Sequence, residues 1–496
     1  MRRRWRNPAR SADTLPLGRC RPSTRRSGRR QRRGNVFLTR RIVVVGAGAG
    51  GCVAAARLFD AGYEVHLFEA GGASATNASP RLAESTSRTD LLDGSVFAST
   101  YTGGFRYPYL RGRALGGTTA INALVQMWGT KDDWDAWSTM HGCTGWNWRS
   151  VSAEIALLGL PSHFASASEA GPVTGAVLSA ARGMGASECR HTGETYDGAG
   201  RVALSLRDGR RADAFSVFVT PRALEDSGRM VVHAGESVAE IAVEADRARG
   251  VVVGDDEFMA DGVVLAAGTV WSPILLRRSG VSRAGIGRNL KDHPAMSLWL
   301  RLRDGVSAAT ESLDVTGLVV ASSLDDSDIN LLPVDPNQLV VAVTKVSSVG
   351  HVVEVEGTAE VVLGTLETHD DSTRMLAALR LAADLCATKE FREVVESVSI
   401  DAAGTPLDAL LAHDDETIIS YVRRQPGAYS HAVGTCRMGA ERDSEAVVDN
   451  TGAVFGVDGL WVTDASVFPD IPRAATQIPV MAVAGRIASG IAERLR

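Results

Sequence analysis

Apolar positions near the start of the chain fall into short, continuous runs separated by glycine. Arg41-Ile42-Val43-Val44-Val45 is a β-branched run that meets Gly46-Ala47-Gly48-Ala49-Gly50-Gly51 at once. The stretch from Cys52 to Asp60 is alanine-rich, carries leucine at helical spacing and closes near Gly62. Glu64-Val65-His66-Leu67-Phe68-Glu69 is a second apolar run. Two buried runs joined by a helix predict a βαβ unit in a parallel sheet covered on both faces. Segment 73–110, rich in Ser, Thr, Gly and Tyr, reads as loop.

Beyond it the pattern changes. Residues 134–148 hold Trp134, Trp137, Trp146 and Trp148, which predict core or interdomain filling. Short strands dominate from about 200 to 268 and end in the buried run Gly262-Val263-Val264-Leu265-Ala266-Ala267-Gly268. Three β-rich runs follow at 339–344, 351–355 and 359–366, then a helix over 374–385 with Asp371 or Ser372 as its cap. That block reads as a second, sheet-plus-helix module. Residues 460–464 predict one more strand and 479–495 a final helix. The fold class is therefore α/β: a discontinuous Rossmann-like domain over 42–297 and 428–496, with an α+β domain on an antiparallel sheet over 298–427.

At 496 residues the chain has room for both domains. Its net charge of -5 conceals a division, because the first 41 residues carry fifteen arginines and one acid, Asp13. The remainder is strongly acidic, which argues against nucleic acid as a partner. The Arg-rich segment 1–41 is expected to be a disordered or mis-assigned start, with a polyanion-binding tail or transit peptide as alternatives. No run approaches the ~20 apolar residues of a membrane span. Six scattered cysteines without a CxxC pair suggest no metal site, no disulfide framework and a cytoplasmic location.

Four segments carry chemistry. Gly46-x-Gly48-x-x-Gly51 follows a strand and opens a helix, and Glu69 ends the next strand 18 residues beyond Gly51. The first glycine permits a tight turn, the second admits a pyrophosphate and the third lets helix pack on strand. Glu69 is placed for ribose hydroxyls, so the segment predicts dinucleotide binding without separating FAD from NAD. Gly112-Arg113-Ala114-Leu115-Gly116-Gly117-Thr118-Thr119-Ala120-Ile121-Asn122 offers backbone N–H groups and hydroxyls to a polar ligand. The third segment, 268–281, contains Ser272-Pro273, which predicts a helix start. The fourth is Ser430-His431-Ala432-Val433-Gly434-Thr435-Cys436-Arg437-Met438-Gly439, a histidine before small residues, with Thr476-Gln477-Ile478-Pro479 downstream. A neutral histidine suits general-base chemistry, although a lone histidine is more often structural.

The 112–122 and 268–281 segments resemble the two signatures of the glucose–methanol–choline (GMC) oxidoreductase family, FAD-dependent enzymes acting mostly on alcohols. The likeness extends through Gly287-Arg288-Asn289-Leu290-Lys291-Asp292-His293-Pro294, where His293 reads as a structural turn residue, and through 430–439 and 460–469. It implies oxidation of a CH–OH group: His431 accepts the hydroxyl proton as the carbinol hydride passes to flavin N5, and Gln477 orients the oxygen. Gly46, Gly48, Gly51, Glu69, Gly117, Thr118, Asn122, Asp464 and Ala465 would hold FAD.

Departures from the family pattern are Gln126 at a usually aromatic position and Ile121 where covalent flavoenzymes carry histidine. Gln477 stands where the family has His or Asn. Ile121 implies non-covalent FAD. Small alcohols are the implied partners, and the acceptor is left open among oxygen, quinone and a redox carrier. A lyase on the same scaffold and a flavoprotein of altered or lost redox activity are the alternatives.

Overall fold

The computed structural model describes residues 40–74, 78–193, 196–307, 312–427 and 429–496. The opening βαβ unit forms the middle of a five-stranded sheet in the order Met230–Ala234, Glu64–Glu69, Arg41–Val45, Gly262–Leu265, Leu460–Val462, parallel throughout. Ile42, Val43 and Val44 have no exposed surface. Each such side chain contributes ~1.5–3 kcal/mol by leaving water. The Ala49–Asp60 helix packs on this sheet and against the C-terminal Gln477–Arg494 helix. From Arg41–Val45 the order runs one way to Glu64–Glu69 and the other way to Gly262–Leu265. Gly46 therefore sits at the switch point, where open α/β sheets place their ligand crevice.

A six-stranded antiparallel sheet stands beside this unit, in the order Val395–Ser399, Ala295–Leu302, Gln338–Val343, Ile329–Val334, Gly317–Ala321, Gly198–Arg201. Its strands alternate in the period of two that a half-covered sheet requires. Leu298, Leu331, Leu339 and Val341 point into a core shared with the Pro172–Gly183 and His369–Ala387 helices. Their neighbours Ser297, Leu332 and Val340 line a cavity on the opposite face.

Several local expectations are corrected. The His351–Val355 and Thr358–Val362 hairpin does not join the six-stranded sheet. It pairs in parallel with Val96–Ser99, inside the segment read as loop. An alternating run reports that a strand exists but not which edge it meets. The antiparallel module likewise takes Gly198–Arg201 and its Pro172–Gly183 cover from outside 298–427.

The helix predicted at 374–385 runs His369–Ala387 and is capped by Thr368, while Asp371 accepts from the backbone of Ser347 and Ser348. The helix expected to open at Ser272-Pro273 begins at Gly268, with Pro273 inside it. Proline removes the donor owed to the Thr269 carbonyl, and Thr435 Oγ1 supplies it at 2.6 Å. The Arg-rich segment lies outside the described residues up to residue 39. Among the described residues the five cysteines are free, no cluster could hold a metal, and no helix is long and apolar enough to cross a membrane.

Candidate active site

One cavity of about 880 Å³ runs between the two sheets, at the large end of the ~300–1,000 Å³ typical of cofactor and substrate sites. Gly46, Gly48, Glu69, Gly117, Thr118, Asn122, His431, Asp464, Ala465 and Gln477 all reach its wall. Gly51 does not: a Cβ there would lie 1.8 Å from the Gly46 carbonyl oxygen, so its part is to let helix meet strand.

The glycine cradle fits a dinucleotide. Gly46 has φ +101°, and a Cβ on it would lie 2.4 Å from the Ala266 carbonyl oxygen. Gly48 differs, because a Cβ there would meet nothing within 4 Å. It faces open room at the head of the Ala49–Asp60 helix, whose first turn has no side-chain cap. Uncapped N–H groups and the positive end of the helix dipole form an anion site. Glu69 accepts from Ala47 N and Gly71 N, both at 2.9 Å, and burial raises its carboxyl to about 7. Asp464 accepts from Gly268 N and Ser466 N at 2.8 Å, so its carboxylate ties two wall segments together.

His431 is placed by backbone on both sides. Lys291 and Val433 exchange N–H···O bonds at 3.1 and 2.9 Å, Tyr429 N donates to the His293 carbonyl, and His431 N donates to Asp292 Oδ1 at 2.8 Å. This pairing brings His293 against it, with Nδ1 of each ring 3.0 Å apart and the rings nearly perpendicular. Burial first, then His293 and Arg111, holds His431 well below the ordinary imidazole range. Burial likewise lowers His293 to about 3, so both rings are neutral near pH 7.

The tautomers follow from the surroundings. His293 Nε2 is buried without a hydrogen bond, and the backbone carbonyls of Pro472 and Thr344 bear on the ring. Only an N–H is tolerated against carbonyl oxygens, so we assign the hydrogen to Nε2 and the lone pair to Nδ1. His431 Nδ1–H then donates to His293, and His431 Nε2 keeps its lone pair. His293, expected as a turn residue, thus also bonds the ring of His431.

Gln477 opens the C-terminal helix and is nearly buried. Its Oε1 accepts from Asn122 Nδ2 at 2.5 Å, and its Nε2 donates to Ser205 Oγ at 2.9 Å. Gln126 Nε2 donates to the same hydroxyl at 3.1 Å. The two glutamines that depart from the family pattern are therefore joined through one fully buried serine. Arg211 holds Asn122 in turn, at its carbonyl and its Oδ1.

Ser205, Arg111 and Arg211 were not found by sequence reasoning, and His293 was read only as a turn residue. Ser205 and Arg211 lie in an unremarkable stretch of short strands. For His293 a signal existed in Asp292-His293-Pro294, although nothing local shows that it meets residue 431.

Comparison with known proteins places the chain in one family. The GMC oxidoreductase family is matched twice, by its N-terminal model over residues 41–295 and its C-terminal model over 348–484. The chain is 28% identical to 5-(hydroxymethyl)furfural oxidase from Methylovorus sp. (strain MP688), across 90% of this chain and 98% of that protein. It is 26% identical to choline oxidase from Arthrobacter globiformis, across 90% and 93%. The crystal structure of pyridoxine 4-oxidase from Mesorbium loti superposes with a TM-score of 0.80 at 25% identity, covering 91% of this chain and 99% of that one. The chain belongs to the GMC oxidoreductase family, FAD flavoproteins that act on CH–OH donors.

Proposed function

We propose that this enzyme oxidises a small alcohol at its carbinol carbon, with His431 as the general base. The observation that carries the reading is the His431–His293 pair. A neutral imidazole lines the cavity with one nitrogen committed to a buried partner, which leaves Nε2 for the substrate hydroxyl. A base that stays unprotonated near neutral pH is ready to accept that proton. Gln477 keeps one amide N–H beyond the one given to Ser205. That donor orients the substrate oxygen and stabilises negative charge developing on it.

Gly46, Gly48 and the head of the Ala49–Asp60 helix would hold the pyrophosphate of FAD, and Glu69 its ribose. Gly117, Thr118 and Ala465 wall the remainder. When bound, FAD supplies the acceptor for the two electrons that leave the carbinol carbon. Ile121 is buried beside Asn122 and offers no nucleophile, so FAD is held non-covalently. Acid precipitation should release all of the flavin into the supernatant; flavin left on the pellet overturns that point.

The test of the function is anaerobic mixing of the FAD-loaded protein with a panel of alcohols. Bleaching of the flavin band is expected with at least one of them. Turnover with no change in flavin absorbance selects lyase chemistry, and a fully loaded flavin that no alcohol bleaches removes the redox reading.

A further inference from the structure

The wall opposite the glycine cradle is the inner face of the six-stranded sheet, and it carries no charge. Leu318, Leu332, Val334 and Val340 present hydrocarbon there, and the polar groups between them are the neutral Ser297, Asn330 and Gln338. Among the described residues, every carboxylate on the cavity wall belongs to the other side. Glu69 and Asp464 are bonded to their own backbone neighbourhood. Asp93 accepts from Ser95 and Trp271, and Glu236 stands beside His233. Behind His431 lies the Arg111 guanidinium, which donates to the Ser430 carbonyl at 2.8 Å and stacks on Tyr109. The Asp292 carboxylate lies there too, but it is spent on the backbone of His293 and His431 and on the Tyr109 hydroxyl, and it does not line the cavity.

A cation entering beside the sheet would lose water, meet no free carboxylate on that wall and approach the Arg111 guanidinium. Desolvating an unpaired ion is far more costly than desolvating hydrocarbon. The Arg111 guanidinium is committed to a carbonyl and a ring, so an anion would also lie mostly against hydrocarbon and amide groups. Tyr429, whose ring lies 5.1 Å from that of His431, offers an aromatic side wall. Its hydroxyl is itself buried, so what it offers the cavity is ring surface.

We propose that the site takes an uncharged primary alcohol carried on an apolar body, of the arylmethanol type, and rejects quaternary ammonium and carboxylate alcohols. The proposal rests on the alcohol-oxidising reading and narrows it.

Benzyl alcohol, choline and lactate are the probes, used with the FAD-loaded full chain in two measurements. In anaerobic flavin reduction, benzyl alcohol should exceed choline and lactate by about 100-fold or more in kcat/KM, a gap of ~2.7 kcal/mol. In equilibrium titration, benzyl alcohol should bind while the other two do not at the same concentration. Asn330→Asp should narrow the gap to choline by about tenfold through the carboxylate it adds. Choline or lactate matching benzyl alcohol in either measurement overturns the proposal. Selective binding of benzyl alcohol without flavin reduction by any alcohol keeps the substrate class and removes the redox reading instead.

Discussion

His431 and Gln477 reach the same cavity but are held in opposite ways. His431 is fixed mainly through backbone, and one side-chain nitrogen is spent on His293 while the other is left over. Gln477 has both ends of its amide engaged, Oε1 by Asn122 and Nε2 by Ser205. On the proposed reading, the first arrangement suits a group that changes its protonation state. The second suits a dipole whose direction is fixed by its neighbours. A catalytic base needs an unsatisfied lone pair, whereas an orienting amide works best when its neighbours decide which way it faces.

The largest effect tests the first half of that contrast. His431→Ala should lower the rate constant of flavin reduction by ~10²–10⁴-fold, the usual share of a general base. Flavin content should be unchanged, because His431 is not part of the glycine cradle. A variant that reduces its flavin at the parent rate removes His431 from the chemistry. In the parent enzyme the acid limb of kcat/KM should lie below the ordinary imidazole value of ~6.5, since burial, His293 and Arg111 all press that pKa down.

A smaller effect isolates the partner ring. His293→Ala removes the acceptor for His431 Nδ1–H and should cost about tenfold in kcat, ~1.4 kcal/mol. The acid limb should also move, because the ring bonded to His431 Nδ1 is gone. A purely structural His293 would leave that limb in place. The same ring has a signature in stability. Its folded pKa of about 3 lies below the unfolded ~6.5, so between those values the unfolded chain binds more protons. That share of stability is complete above pH ~6.5 and is lost as pH falls toward 3. Urea midpoints at pH 7 and pH 5 should therefore differ less in His293→Ala than in the parent. An equal difference in the two proteins would show that His293 titrates normally. Glu69 acts with the opposite sign: its carboxyl is raised to about 7, so its contribution is present at acid pH and fades as pH rises through that value.

The two walls also differ in how far they can be read from sequence. The cradle was legible because each part is a local demand on a residue type: a left-handed φ at Gly46, room at Gly48, close packing at Gly51. His431 was legible through the small residues that follow it. The opposite wall depends on which strands become neighbours, and this is where reading failed. Val96–Ser99 was hidden in a polar segment, and the His351–Val355 hairpin joined it rather than the sheet expected. The links from Gln477 to Ser205, 272 residues away, and from His431 to His293, 138 away, are long-range contacts that no periodicity announces. Gln126 and Gln477 stood out singly as departures, yet only the fold shows that they share one hydroxyl.

The smallest effect asks whether that shared hydroxyl matters. Ser205→Ala removes the acceptor of Gln477 Nε2 and of Gln126 Nε2 together, while leaving the Asn122 bond to Gln477 Oε1. An amide held at one end can rotate, and misalignment by a fraction of an ångström is enough to slow an oriented reaction. We expect kcat to fall by roughly three- to tenfold with KM little changed, because alignment is needed most in the transition state. Gln477→Asn shortens the side chain by one methylene, so its amide cannot keep both bonds, and it should lose a similar factor although it restores a residue type usual in the family. Stopped-flow reduction with both single variants and the double variant decides the matter. If Ser205 acts through Gln477, the double variant is no slower than the worse single one. Losses that multiply would assign Ser205 a separate role, and the two walls would then be less different than their hydrogen bonds make them.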